Sequence, residues 1–221
     1  MIRSIFVRSI TLLLFCLPLY ADKLNKDNDA QVWVKSSFKK SLGCYFATDF
    51  TSEFRFGGNL SSLYFYYFQG RLLYTPTPGI EIAPGFRQHY FRPRDEGKWL
   101  PNSIPMGDIT FYGCLQGFEI NDRNRFQFPL KEQFSIRWVY RNRLTLFFPQ
   151  RNRSMLRPMM SNEIFFKDGK EFVENRYETG WLLTLGSSAK GGVTYIVRTQ
   201  KRLDNKWYNT HNFRIRADFS F

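Results

Sequence analysis

Long hydrophobic runs are scarce in this chain, and their scarcity excludes the commonest membrane architecture. After the N-terminal TLLLFCLPLY no segment approaches the roughly 20 apolar residues that a spanning helix requires. Cysteine is equally sparse. Three residues, of which Cys44 and Cys114 lie deep in the chain, cannot make a disulfide framework. With two histidines, His89 and His211, far apart, no metal-ligand spacing is present, so no metal or other cofactor is expected. A phosphate-cradling glycine loop is also missing: GSSAKGG at 186–192 precedes a strand and reads as a turn. The 3.6-residue periodicity of amphipathic helices is almost absent.

Aromatic residues and positive charge are what the chain has in plenty. Phe 24, Tyr 12 and Trp 5 make 19% of the residues, yet mean hydropathy is −0.40, so the rings are interleaved with polar side chains. Lys+Arg 32 against Asp+Glu 19 give a formal +13, which favours anionic partners. The N-terminus narrows the choice. Arg3 and Arg8, a short apolar stretch, and Ala21 before ADKLNKDND have the order of a secretory signal peptide over residues 1–21. Phe15 before Cys16 is too bulky for a lipoprotein signal. Export directs the expectation toward phosphate-bearing lipid or glycan and away from nucleic acid. Residues 22–221 show no repeat or linker and read as one domain.

Period-two alternation runs almost to the last residue. In YFATDFTSEFRF the polar Asp49, Thr51, Glu53 and Arg55 oppose Phe46, Phe50, Phe54 and Phe56. In QFSIRWVYRNRLTLFF, Arg137, Arg141, Arg143 and Thr145 oppose Trp138, Tyr140, Leu144 and Leu146. In EFVENRYETGWLLTL, Glu174, Arg176 and Glu178 oppose Val173, Tyr177 and Trp181. FRIRADFSF places Arg214, Arg216, Asp218 and Ser220 against Phe213, Ile215, Ala217, Phe219 and Phe221. Further strands are expected near 31–39, 61–75, 79–91, 108–120, 159–167 and 192–201, with 92–106 as one long Pro-rich loop. The poorly alternating 108–120 suggests bulges at Gly113 and Gly117. The total is about ten strands, several of the length a tilted membrane strand needs.

Such alternation fits a soluble sandwich or lipocalin-like barrel with the apolar face inward, or a membrane barrel with it outward. Three features favour the membrane form. The apolar faces carry ring after ring, as interfacial aromatic girdles do. The polar faces mix opposite charges at close spacing, which suits a crowded lumen. The sequence given stops on an apolar-face aromatic within a strand, so Phe219 and Phe221 are expected to act as the assembly signal read by the outer-membrane insertion machinery. The expectation is an all-β, closed, antiparallel, outer-membrane-type β-barrel of about ten strands with a polar, Arg-rich lumen, its last strand pairing with the first around QVWVKSSF. One difficulty follows. Ten strands put the long 92–106 loop at the same end as Phe221, whereas such barrels keep periplasmic turns short.

The scattered segments SEFRF, PGFRQH at 84–89, SIRWVYRNRL, SNEIFF and FVENRYETG resemble the bacterial family called domain of unknown function 2490, over most of residues 31–221. The resemblance implies an outer-membrane-type barrel and no known activity, substrate or cofactor. Its polar positions here would be Glu53, Arg55, Arg87, Arg137, Arg141, Asn162, Glu163, Asn175 and Arg176.

Three functions remain open. Glu53, Arg55, Arg87, Arg137, Arg141, Glu163 and Arg176 would form a lumen network that either packs the interior or lines a narrow anion-preferring pore. Basic loop residues such as Arg151, Arg153, Arg157, Lys201, Arg202 and Lys206 could meet lipopolysaccharide or another anion. A lipid-modifying enzyme built on His89 is the alternative, although no hydrolase signature accompanies it. No residue is assigned a catalytic role.

Overall fold

The computed structural model describes residues 29–58, 60–93, 97–130, 137–150, 155–168, 171–201 and 206–221. The signal-peptide expectation and all of QFSI at 133–136 lie outside the described residues.

Eleven strands close into one barrel in which sequence neighbours pair and the last strand returns to the first. They are β1 (Asp29–Ser41), β2 (Phe46–Gly57), β3 (Ser62–Thr77), β4 (Ile80–Phe91), β5 (Leu100–Leu115), β6 (Phe118–Gln127), β7 (Val139–Phe147), β8 (Leu156–Lys167), β9 (Glu171–Thr184), β10 (Ala189–Lys201) and β11 (Trp207–Ser220). Among the described residues there is no helix. The seam runs from Asp29 beside Thr210 to Lys39 beside Ser220 and is parallel. An odd number of up-and-down strands forces this, because the first and last must point the same way. The expected wholly antiparallel barrel is corrected at this pair, and bacterial single-chain barrels are more often even-stranded. No strand edge is left open.

The additional strand comes from the segment that alternates poorly. Gly117 marks no bulge. Gln116 at φ 50 and Gly117 at φ 81 form a two-residue turn with both φ positive, the twist that joins antiparallel strands tightly. β5 also extends back through PNSIPM, read above as loop. Pro105 accepts from the Phe128 N–H, so its donor-less nitrogen faces the β6 side, and Pro101, four residues earlier, faces likewise. Both lie beyond the last β5–β6 pair, Met106 with Gln127, where a missing donor disrupts little. The extra strand reverses every chain direction before it. The connections at 92–99 and 128–138 therefore lie at the end opposite Phe221, and the loop difficulty disappears.

Polarity is inverted relative to a soluble barrel. Phe38, Phe50, Phe68, Phe86, Ile109, Leu144, Val193 and Phe213 are exposed on the outer wall, while Glu53, Arg125, Glu163, Glu178 and Arg214 are buried inside. Cross-strand ring pairs such as Phe38 with Phe219 (5.2 Å) and Tyr66 with Tyr90 (4.7 Å) band the outside. Three register shifts interrupt the ladders; one falls between Tyr74 and Thr77 in the β3–β4 pair, and the other two change which residues face inward. Tyr64 is the extra residue opposite the Arg55–Phe56 step, so Tyr64 and Phe65 both turn inward. Val173 is the extra residue on β9 and is buried there, not exposed as its parity suggested.

Candidate functional site: the ion-paired lumen and its cup

The lumen is filled by arginine and carboxylate side chains that adjacent strands deliver at the same height. In the middle, Arg125 holds Asp108 at two points, Nε to Oδ1 and Nη2 to Oδ2, both 2.6 Å. Arg71 bridges Asp108 (2.9 Å) and Asp49 (2.8 Å). Glu163 receives Arg123 at 2.7 Å and Arg141 at 2.8 Å, with Arg176 at 3.7 Å. Glu178 receives Arg143 at 2.6 Å, Arg214 at 3.0 Å and the Thr194 hydroxyl at 2.6 Å. Buried charges are tolerable because each carboxylate is met by more than one donor.

Aromatic rings inside the barrel support these cations. Trp33, fully buried, lies under the Arg55 guanidinium at 3.9 Å and near those of Arg214 (5.1 Å) and Arg176 (5.3 Å). Arg141 and Arg176 each sit 4.4 Å from the Phe165 ring, and Arg87 lies 4.2 Å from that of Tyr67. The space left within this layer is about 50 Å³, room for a few waters. Toward the Phe221 end Ala47, Leu73 and Ala83 form a small apolar cluster.

At the opposite end the lumen opens into a cup of about 430 Å³. Arg55, Arg87, Arg141, Arg176 and Arg198 reach its wall from five strands, interleaved with Tyr64, Phe65, Phe91 and His89. Glu53 pairs with Arg55 at 2.6 Å, and Glu174 with Arg176 and with Arg198 at 2.8 Å. Arg87 differs. Its Nε and Nη2 donate only to the Gln69 amide oxygen, at 3.2 and 2.6 Å.

Of the expected lumen residues, Glu53, Arg55, Arg87, Arg141, Glu163 and Arg176 come together here. Arg137 does not. It is exposed just before β7, its backbone N–H donating to Asp168 Oδ1 at 3.0 Å, because the strand begins only at Val139, although the alternation runs back to Gln133. Asn162 is exposed on the outer wall, and Asn175 lies between the inward Glu174 and Arg176. Phe219 stacks outside on Phe38, and Phe221 is exposed beside the seam. The central Asp108, Arg123 and Arg125 escaped the sequence reading because they lie on β5 and β6, where the turn was unrecognised. Recognising Gln116-Gly117 as a turn would have revealed their shared inward parity.

His89 packs its ring on Phe65 at 5.3 Å, and no described side chain hydrogen-bonds to its nitrogens. His211 pairs with the Tyr195 hydroxyl at 2.5 Å on the outer face. Cys44 and Cys114 are free. Arg157 is engaged by Glu119 at 2.8 Å, and Lys201 by Glu171 at 2.8 Å; Arg151, Arg153 and Arg202 lie outside the described residues.

Comparison with known families matches residues 30–210 to the one described as protein of unknown function, DUF2490. The chain belongs to this family. The matched segment spans every strand from β1 into β11, and so covers both the ion-paired lumen and the cup. No curated protein matches the chain.

Proposed function

We propose that this DUF2490 protein is an exported outer-membrane β-barrel that binds a ligand at its cup and does not conduct. The observation that carries this reading is the inverted polarity: charge buried inside, aromatic and aliphatic side chains exposed outside. In water each such large apolar side chain forgoes on the order of 1.5–3 kcal/mol of burial, whereas in hydrocarbon the same wall is at home. A lipocalin-like soluble barrel needs the reverse arrangement. Strands of 9 to 16 residues are long enough to span, and closure leaves no backbone edge for lipid to meet.

The filled lumen favours a closed barrel over the narrow anion pore, since paired guanidiniums and carboxylates occupy the path an ion would take. The lipid-enzyme reading gains little support from His89, which meets neither a nucleophile nor an orienting acid among the described residues. With the Phe221 end inside, the longest connection, 128–138, and the cup face outward, while the inner connections run from the two-residue 116–117 turn to 148–155. Membrane fractionation and gel mobility with and without boiling test the barrel. Recovery of the protein in the soluble periplasmic fraction would overturn it, and single-channel steps in planar bilayers would overturn the closed lumen.

A further inference from the structure

The cup is built for more than packing the barrel. Among the described residues, four of its five arginines share three carboxylates, Glu53, Glu163 and Glu174, and Glu163 is shared with Arg123 as well, so positive charge is in excess at this wall. Arg87 carries the clearest share of it, being buried with no carboxylate of the described residues within ion-pair distance. Three further polar atoms at the same wall are buried without a partner: Arg141 Nε, Gln127 Nε2 and Asn102 Oδ1. Native interiors rarely leave such groups unmade, because each costs about 1–3 kcal/mol. Three of the eight such atoms among the described residues belong to side chains lining this one open cavity, which gives it the character of a site awaiting its ligand.

Their chemistry narrows what that ligand is. Surplus guanidiniums and an amide N–H demand an anionic group with several acceptor oxygens, and guanidiniums arriving from different strands suit a tetrahedral phosphate. The Asn102 oxygen cannot face an anion, so the ligand must also present a donor such as a hydroxyl. Phe65, Phe91 and Tyr64 supply the flat apolar wall on which a sugar ring packs. A volume of about 430 Å³ fits a small ligand of that size.

We propose that the cup binds a phosphate monoester carried on a sugar, held by Arg87, Arg141 and Gln127 through the phosphate and by Asn102 through a hydroxyl. This rests on the binding reading above but not on membrane residence. A free sugar phosphate and the phosphorylated glucosamine headgroup of lipid A share the chemistry.

The test is calorimetric titration of the refolded full-length chain in an uncharged detergent with glucose 6-phosphate, glucose and inorganic phosphate, and with lipid A as competitor. Saturable binding of glucose 6-phosphate, weaker binding of inorganic phosphate and none of glucose is expected. Arg87→Gln should weaken it at least tenfold, and Gln127→Ala severalfold, in protein whose unboiled gel mobility is unchanged. Competition by lipid A would assign the headgroup as the source, and its absence a soluble ester. No binding at millimolar ligand, equal binding of glucose, or an Arg87→Gln protein that binds like the parent would overturn the proposal. Gel mobility on the same preparation reports the barrel separately, so failure of the site is distinguishable from failure of the fold.

Discussion

Arg125 and Asp108 face each other across the β5–β6 hairpin with two hydrogen bonds of 2.6 Å, and they are 2% and 1% exposed. The pair lies at the centre of a network in which Arg71 shares the same carboxylate. Removing one partner from a buried pair strands the other charge, which costs about 3–5 kcal/mol, whereas replacing both with apolar groups of similar volume is often neutral. Asp108→Ala should therefore lower urea stability in detergent by about that amount, and Asp108→Leu with Arg125→Met should recover much of it. A single Asp108→Ala change that left stability within error would remove the network from the account of what holds the lumen shut.

Trp33 tests how the lumen is filled. Its ring is fully buried with the Arg55 guanidinium stacked on it at 3.9 Å. Trp33→Ala should cost about 3–5 kcal/mol through cavity formation. Measured by denaturant unfolding, a loss below about 1 kcal/mol would mean the lumen collapses around the gap.

Gly180 permits the close approach of β9 and β10. A Cβ there would stand 2.3 Å from the Val193 carbonyl oxygen and 2.6 Å from Thr194 Cα, both backbone atoms that cannot swing away. Gly180→Ala is expected to abolish the compact unboiled gel band. Gly107→Ala, where nothing lies within 4 Å, should leave it intact. Similar behaviour of the two variants would contradict the strand spacing described.

Phe221 closes the seam with its backbone as well as offering its ring. Its N–H donates to the Lys39 carbonyl at 2.9 Å, and its own carbonyl accepts from the Ser41 N–H at 3.1 Å. Deleting Phe221 should reduce folded yield more than Phe221→Ala, which keeps both bonds. Equal losses in pulse-labelled assembly assays would assign the effect to the ring alone.

The outer wall carries a polar cluster on β6 and β7. Asn142 donates to Asp122 at 2.6 Å and to Asn124 at 3.1 Å, and the Tyr140 hydroxyl donates to Asn124 at 2.5 Å. If lipid covers this face, Asp122→Leu with Asn142→Leu should raise stability in bilayers by on the order of 1 kcal/mol, acidic residues being the less costly charges there. A destabilised double variant would argue that something other than lipid lies against it.

Alternation made much of the site legible. Glu53 and Arg55, Arg141 and Arg143, Glu174 through Glu178, and Arg214 take the inward face that their parity assigned, because successive side chains in a strand must point to opposite sides. The same rule misled at Val173 and said nothing of the inward pair Tyr64 and Phe65, since a bulge shifts parity by one residue and leaves no composition signal. Arg137 failed for another reason: parity assigns a face but not the residue at which pairing stops.

The sequence by itself determined the class of this protein, an all-β chain with one aromatic face and one charged face, and its family, because both are written in local periodicity and short motifs. Only the tertiary structure decided that the strands number eleven and that the closing pair is parallel, since closure depends on which turns form across the whole chain. It alone decided which arginines meet which carboxylates. Those partners lie far apart in sequence, Arg123 and Glu163 by 40 residues and Glu53 and Arg214 on the second and last strands, and become neighbours only when the barrel wraps. The cup emerged the same way: Arg87 is one arginine among many in the sequence, and its meeting no carboxylate among the described residues is a property of the space around it.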